Sequence, residues 1–274
     1  MAPRTTCGTP TASPATDAGA AVHAFRTIVF SSVIAGLLVG SAITLLQQVG
    51  TAPLILRAEI HERAAGAGAA VAAAPVGPEA AGPGAREHEH AAWEPADGVQ
   101  RTASSAAANV LTATGFALLL CGAYALRGGR TTWREGALWG LGGFAAFVVA
   151  PGLGLPPELP GTPAAALGPR QLWWAATAGA TTLGLALLAF RRSSRAAIAA
   201  FVLLVSPHLI GAPRPLDPST DVPAALAREF VVAAVLTGLL FWALLGCLTG
   251  AIYGRSSARA RGPARSGHRS SAVP

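Results

Sequence analysis

The sequence predicts an all-α protein, a polytopic membrane helix bundle of six transmembrane helices with both termini in the cytoplasm. The chain of 274 residues is 52% hydrophobic and only 12% charged, and its mean hydropathy is +0.48. A membrane-spanning helix needs about 20 apolar residues. Six segments without Asp, Glu, Lys or Arg meet this need: 27–56, 102–126, 136–157, 171–190, 196–213 and 230–254.

The first part of the chain divides by composition. Residues 1–22 are rich in Pro, Ser, Thr and Ala, which predicts a disordered tail. Residues 23–56 hold the first span, which is too long for a signal-peptide core and has no obvious cleavage site after it, so we expect it to be retained. Residues 57–101 form an outer loop, whose Ala/Gly/Pro-rich middle predicts flexibility.

Residues 102–254 contain the other five spans, and residues 255–274 form a basic cytoplasmic tail. The fifth segment is the weakest because it is the shortest and carries Pro207, His208 and Pro213 near its outer end. A five-span bundle therefore stays open from hydropathy alone.

Arginine decides the orientation, since the sequence has no lysine. With a cytoplasmic N-terminus and six spans, 13 of the 20 basic residues fall on the inner side, as the positive-inside rule requires. All acidic residues except Asp17 and Glu135 fall on the outer side. We therefore expect a multi-pass protein of the cell inner (cytoplasmic) membrane.

Several classes of protein are disfavoured. Three cysteines, two of them within predicted spans, do not make a disulfide framework. The lack of lysine excludes a Walker phosphate-binding loop. The net charge of +7 comes from arginines beside membrane ends, where they can meet anionic lipid, so no nucleic acid is expected as a partner.

Glycines at four-residue spacing predict close helix packing within the bilayer. They are Gly36 and Gly40; Gly136 and Gly140; and Gly246, Gly250 and Gly254. Trp173 and Trp174, at the start of the fourth span, are typical of aromatic anchors at the membrane interface.

The outer loop carries candidate metal ligands. Glu87, His88, Glu89 and His90 are consecutive, and His61 lies between Glu59 and Glu62. Imidazole with carboxylate suits Co²⁺, Ni²⁺, Zn²⁺ or Cu²⁺, and the lack of thiolates here disfavours Cu(I). A solvated acidic loop with incidental histidines explains the same residues equally well.

Polar residues at the outer ends of the spans form a second candidate site. Polar groups at depth in the membrane are costly and often functional. His208 is the foremost ligand candidate, and Pro207 beside it frees a backbone carbonyl. The other members of this predicted vestibule are Glu158, Asn109, Gln47, Gln48 and Glu229. Alternatively, each residue separately satisfies nearby backbone groups or faces interfacial water.

Four strings, read in order, resemble the CbtA family of predicted cobalt transporter subunits. They are Trp-Glu-Pro-Ala-Asp-Gly at 93–98, the stretch 150–161 that ends in Pro-Pro-Glu-Leu-Pro-Gly, Arg-Gln-Leu-Trp-Trp at 170–174, and Pro-His-Leu-Ile-Gly-Ala-Pro at 207–213. The likeness covers roughly residues 25–253. The two proline-bounded strings are specific, whereas the glycine patterns are common in membrane proteins.

The resemblance implies a membrane subunit for cobalt uptake, often associated with cobalamin synthesis and with a small one-span, His-bearing partner, CbtB. By position, His208, Glu158 and the outer-loop histidines would handle the metal, and Co²⁺ would be cargo, with no resident cofactor. The long N-terminal tail and the His-sparse outer loop depart from the family pattern.

Three alternatives remain open. The cargo could be nickel or another divalent cation, because N and O ligands separate neighbouring metals poorly. The chain could be a non-conducting accessory or scaffold subunit. A membrane enzyme that uses His208 and Glu158 as acid and base is disfavoured, since no nucleophile or metal-motif spacing accompanies them, and we expect no enzymatic activity.

Overall fold

A computed structural model describes residues 14–72 and 98–260, and all regular secondary structure in those two ranges is helical. The all-α prediction is therefore confirmed for this part of the chain. The elements in order are α1 (Pro14–Val49), α2 (Ala52–Ala72), α3 (Val99–Arg127), α4 (Trp133–Phe144), a π-helical turn (Ala145–Val149), α5 (Ala150–Gly152), α6 (Leu167–Phe190), α7 (Ser194–Ile210) and α8 (Ala224–Ala260).

Four helices are long and apolar enough to cross a membrane: Ala21–Val49, Val99–Arg127, Leu167–Phe190 and Ala224–Arg259. They match the first, second, fourth and sixth predicted spans. The fifth predicted span is the shorter apolar helix Ser194–Ile210. The structure thus supports a membrane protein with four candidate spanning helices. The third and fifth predicted spans do not form single helices of the same length.

The third predicted span is interrupted by the π-helical turn. Phe144, Ala145, Val149 and Ala150 all keep right-handed helical backbone angles, so the helix continues through the turn from residue 133 to residue 152. Twenty residues rising 1.5 Å each give a length of about 30 Å, enough to cross the hydrocarbon layer. The third predicted span is therefore long enough to cross a membrane, although it is not one unbroken α-helix.

Two predictions from composition differ from the structure. Helix α1 begins at Pro14, inside the tail predicted to be disordered. The first span ends at Val49, and α2 begins at Ala52, so the first part of the predicted outer loop is helical. The Ala-rich composition suggested flexibility, but alanine has the highest helix propensity of all residues.

The core of the molecule lies between α1, α3, α4 and α8. Tyr124, Leu245 and Val39 are among its fully buried side chains. Aromatic rings fill the space between α3, the π-helical turn and α8, where Phe116, Phe147 and Trp242 lie within 5.4 Å of one another, centroid to centroid. These four helices form a continuous packed unit.

Glycine packing follows the predicted pattern. Gly136 and Gly140 of α4 lie directly against Gly246 and Gly250 of α8. A Cβ atom on Gly250 would lie 2.6 Å from the carbonyl oxygen of Thr132, and real Cβ atoms do not approach so closely. Gly40 of α1 meets the backbone of Val110 in α3 in the same way. Small residues thus bring the helix backbones into contact.

Helices α6 and α7 form an antiparallel hairpin beside this core. Gly184 of α6 faces Ala200 and Leu204 of α7, and α6 also contacts α4, the π-helical turn and α5. Trp173 is buried rather than exposed as an interface anchor would be, and its ring packs against Gly154. Its neighbour Trp174 is 39% exposed, as an anchor would be.

The helix alternation gives the bundle two chemically different ends. One end, here called the carboxylate end, comprises α2, segments 153–166 and 211–223, and the first turns of α3 and α8. Ala58, Leu159, Val222 and Leu226 join these parts in a small apolar cluster. Most carboxylates of the described residues lie there: Glu59, Glu62, Glu158, Asp217, Asp221 and Glu229.

The opposite end, here called the arginine end, holds the start of α1, the turns at 128–132 and 191–193, and the end of α8. Its arginines are Arg26, Arg127, Arg130, Arg134, Arg191, Arg192, Arg195, Arg255 and Arg259. Glu135 is held in place there by a capping box with Thr132 and by Arg127, whose Nη2 lies 3.1 Å from its Oε1. The orientation predicted from the sequence would place this end in the cytoplasm.

Candidate functional site

His208 lies in the last turn of α7, beside the buried Pro207. Its ring is half-buried and meets Trp173 edge-on, with the ring centroids 6.1 Å apart. The indole Nε1 of Trp173 donates a hydrogen bond of 3.2 Å to the Pro207 carbonyl, and the Gly211 N–H donates one of 3.0 Å to the same oxygen. The tryptophan therefore fixes the backbone on which the predicted ligand stands.

Glu158 pairs with an arginine and not with the other residues of the predicted vestibule. Its carboxylate forms an ion pair with the Arg170 guanidinium, at 2.5 Å between Oε2 and Nη2. Both side chains are about one quarter exposed. A carboxylate that is already neutralised by arginine is a weaker ligand for a cation, so Glu158 is better suited to joining segment 153–166 to α6.

Asn109 and Gln47 are brought together, as the predicted vestibule requires. The Asn109 Nδ2 donates to Thr44 Oγ1 at 3.0 Å and to Gln47 Oε1 at 2.7 Å. Thr44 in turn donates to the Gly40 carbonyl at 2.8 Å. These bonds use both amide hydrogens of Asn109, so the residue fastens α1 to α3 near the carboxylate end.

Glu59 fastens α2 to α3. Its carboxylate accepts hydrogen bonds from Arg101 at the start of α3 and from Arg63 one turn later in α2. The Glu59 side chain is only 16% exposed. This interaction fixes the turn of α2 that also carries His61 against the start of α3.

His61 and Glu229 line one pocket between α2 and α8. The pocket has a volume of about 320 Å³ and opens to the surface. Its other lining residues are Arg57, Ile60, Pro223, Ala225 and Leu226. The side chains of His61 and Glu229 therefore border a shared space from two different helices. Glu229 was expected only at the mouth of the sixth span, and nothing in the sequence placed it beside His61.

A second pocket, of about 540 Å³, lies between α6 and α7 beside Pro207. Its lining is almost wholly apolar, and includes Leu172, Trp173, Ala176 and Ile210, with Ser206 as a polar exception. His208 is not part of this lining. The pocket therefore offers a cation no ligand set.

A complete metal centre is absent from the described ranges 14–72 and 98–260: no three His, Cys, Asp or Glu side chains there lie close enough to hold an ion. Glu87, His88, Glu89 and His90 fall outside these ranges. The pair of His61 and Glu229 could hold a hydrated cation with water as the remaining ligands, or with ligands from elsewhere.

One carboxyl group of the carboxylate end, that of Asp217, is stabilised in its ionised form. Asp217 in segment 211–223 is fully exposed, and the backbone N–H of Ser219 donates to its Oδ1 at 2.9 Å. This hydrogen bond holds the pKa of the Asp217 carboxyl below its ordinary value. The carboxylate end also carries Arg57, Arg63, Arg101, Arg214 and Arg228, so a hydrated cation that approaches it meets fixed charges of both signs.

Comparison with known proteins identifies the family of this chain. The family model CbtA, described as a probable cobalt transporter subunit, matches residues 25–254, from the first turns of the spanning part of α1 to Gly254 in α8. No curated protein and no solved structure matches the chain. The match covers most of the sequence and both specific strings, and the chain belongs to the CbtA family of probable cobalt transporter subunits.

Proposed function

We propose that this chain takes up Co²⁺ across the cytoplasmic membrane, with its carboxylate end on the outer side and its arginine end in the cytoplasm. The observation that carries the proposal is the pocket at the carboxylate end that His61 and Glu229 both line. Co²⁺ is the proposed cargo because the family is described as a probable cobalt transporter subunit. The arginine distribution supports the orientation.

The first step in the proposed path is capture. Exposed carboxylates concentrate cations near a surface by electrostatic focusing, and the lowered pKa of Asp217 keeps its carboxyl ionised to a lower pH than that of an ordinary aspartate. His61 and Glu229 then replace part of the hydration shell. The tract of Glu87, His88, Glu89 and His90 belongs to the same outer loop and would add ligands.

The second step is guidance by His208. Its half-buried imidazole lies deeper than the exposed His61, and Trp173 holds the backbone beside it. A neutral imidazole nitrogen is a good ligand for Co²⁺. We propose that the cation passes from the pocket of His61 and Glu229 to His208.

The membrane potential is a sufficient driving force. It contributes about 2.3 kcal/mol per charge per 100 mV, hence about 4.6 kcal/mol for a divalent cation that moves inward. The described residues suggest no nucleotide-binding loop as an energy source, because the chain lacks lysine. The proposed path therefore needs only an inward-negative potential, with or without partner subunits.

A second candidate function is that of a non-conducting accessory subunit. It is favoured by the glycine contacts, which bring α1 against α3 and α4 against α8 with no space for an ion between their backbones. In that case the cation would pass between this chain and a partner, for which we propose a small one-span, His-bearing subunit of the CbtB type. Ni²⁺ is the alternative cargo in either case.

Radioactive cobalt uptake by cells tests the proposal. Cells that lack the chain should lose uptake, and cells with His208→Ala should show a lowered maximal rate. His61→Ala and Glu229→Gln should raise the cobalt concentration for half-maximal uptake, because they weaken capture. His23→Ala is the matched control, since His23 lies near the arginine end and contacts Thr27 of its own helix.

Unchanged uptake in cells without the chain would refute the transport function. Purified chain in proteoliposomes then separates the two candidates: cobalt influx with this chain alone supports conduction, and influx only with the one-span subunit supports the accessory role. Excess Ni²⁺ in the same vesicles tests the cargo, because equal competition would remove the preference for cobalt.

A further inference from the structure

The apolar pocket between α6 and α7 has no part in the proposed cation path, and we call it the hairpin groove. Its volume is about 540 Å³, and its far wall is the last turn of α7 with residues 211–213. The wall on α6 recurs every three or four residues, so it is one face of that helix. This wall is formed by Pro169, Leu172, Trp173, Ala176 and Ala180.

The groove exists because the two helices separate toward the carboxylate end. Near the arginine end they are close, since a Cβ atom on Gly184 would lie 3.2 Å from the carbonyl oxygen of Ala200. At Trp173, by contrast, an indole side chain spans the gap, and its Nε1 lies 3.2 Å from the Pro207 carbonyl oxygen. The backbones are therefore farther apart there, and the groove lies beside the indole.

The length of the groove matches one leaflet of a bilayer. Pro169 and Ala180 are eleven residues apart on α6, so the groove extends about 16 Å along the helix. Half of the hydrocarbon layer is about 15 Å thick. Pro169 stands at the carboxylate end, and the groove therefore runs from the membrane surface at that end to the middle of the bilayer.

The groove is narrow and opens to the side. A volume of about 540 Å³ over about 16 Å gives a mean cross-section of about 34 Å². A helix with its side chains is about 10 Å across and needs about 80 Å², so a partner helix cannot enter. Leu172 and Ile210 are largely exposed at its edges. An extended hydrocarbon chain that comes from the surrounding lipid fits this shape.

A cationic side chain stands at the mouth of the groove. Arg214 directly follows Pro213, which is part of the lining, and it is exposed without an ion pair to any described residue. Arg170 is already paired with Glu158. The hydrogen bonds that stabilise the Asp217 carboxylate do not come from Arg214. The Arg214 guanidinium can therefore bind a phosphate group, for which its planar set of donors is well suited.

We propose that the hairpin groove binds a glycerophospholipid of the leaflet at the carboxylate end, with one acyl chain along α6 and the phosphate on Arg214. The second acyl chain stays in the bilayer. Because lipid tails and the groove are equally apolar, preference over bulk lipid comes from the fit of the chain and from the phosphate contact. The bound chain supports the hairpin where the helices do not touch. This site does not rest on cobalt transport.

The experiment measures, by native mass spectrometry, the phospholipid that the purified full chain retains after detergent washing, with palmitoyl-oleoyl phosphatidylglycerol as the probe. We expect one retained molecule per chain. Ala176→Trp fills the groove and should remove it, whereas Ala175→Trp is the same change at an exposed neighbour outside the lining and should not. Arg214→Gln should weaken retention about fivefold, and Arg228→Gln, at another exposed arginine of the carboxylate end, should not change it.

Each outcome supports or overturns the site. Equal retention in Ala176→Trp and Ala175→Trp overturns it, and full retention in Arg214→Gln overturns the phosphate contact. A second measure needs no variant, in case Ala176→Trp fails to fold: phosphatidylglycerol with a photoreactive diazirine in one acyl chain should cross-link in nanodiscs to Leu172, Ala176 and Ile210. Cross-links spread evenly around the bundle show surrounding lipid only. Protection of these residues by a second copy, seen as a dimer, also refutes the proposal.

Discussion

The four-helix core and the α6–α7 hairpin are held together in different ways. In the core, α4 and α8 touch backbone to backbone through Gly136, Gly140, Gly246 and Gly250. In the hairpin, the main link near the carboxylate end is a single indole hydrogen bond from Trp173 to the Pro207 carbonyl. The core therefore depends on close steric fit along its length, whereas the hairpin, close-packed at Gly184, depends near the carboxylate end on one large side chain.

This difference indicates a division of roles. Helix α7, which carries His208, packs chiefly against α6, while α6 is joined to the rest by the π-helical turn and α5. A helix with one main neighbour can shift without disturbing the core. We infer that the core is the frame, and that the hairpin is the unit in which small movements of His208 take place.

The largest expected effect comes from the core. Gly246→Leu places a side chain where the carbonyl oxygen of Gly136 lies, so we expect a loss of about 3 kcal/mol or more in stability and little folded protein. Thermal unfolding in detergent and the yield from membranes measure this. Gly115→Leu is the matched control, because a Cβ there meets nothing within 4 Å. Equal behaviour of the two variants would contradict close packing of α4 and α8.

The second effect tests the hairpin. Trp173→Phe keeps an aromatic ring but removes the hydrogen bond to Pro207, which should cost about 1 kcal/mol and misplace His208. We expect cobalt uptake to fall as it does with His208→Ala, although the protein still folds. Trp174→Phe, at the more exposed neighbouring position, should leave uptake unchanged. Normal uptake with Trp173→Phe would mean that the indole does not position His208.

A third variant tests whether Asn109 joins α1 to α3 or binds the metal. Asn109→Leu removes the bonds to Thr44 and Gln47, and we expect a loss of about 1 kcal/mol in stability. Uptake per folded molecule should not change, because the amide serves the contact of α1 with α3. A large fall in uptake at unchanged stability would instead support Asn109 as a ligand.

The smallest effect is expected at the pair of Glu158 and Arg170. Both side chains are partly exposed, so a double-mutant cycle with Glu158→Gln and Arg170→Gln should give a coupling of about 0.5 kcal/mol. Uptake should be equal in the single and double variants. If Glu158 binds the cation, uptake will fall in Glu158→Gln and will not recover when Arg170 is also changed.

The sequence predicts this bundle well where one physical rule acts alone. Charge-free segments marked the positions of α1, α3, α6, α7 and α8, because a bilayer tolerates few charges in its hydrocarbon layer. Glycine spacing marked the contact of α4 with α8. Helix α2 was missed, since its alanine-rich composition is compatible with both a helix and a flexible loop.

The site was harder to predict because it depends on pairs. Glu158 looked like a free carboxylate, but Arg170 neutralises it across the turn before α6. His61 and Glu229 looked unrelated, and they meet only because Glu59 and Arg101 hold α2 over the start of α8. Such pairings depend on how segments far apart in the chain fold back, which a single sequence does not record.

The π-helical turn at Ala145–Val149 holds one residue more than a regular α-helix needs for about the same rotation of the chain. If its residues were regular α-helix at unchanged chain length, everything after them would be rotated by about 100°. Pro151 and the segment with Glu158 would then leave the side of the bundle where they meet α6. The wider turn therefore sets the rotational alignment of segment 150–166 against α6, and it does so without any charged residue.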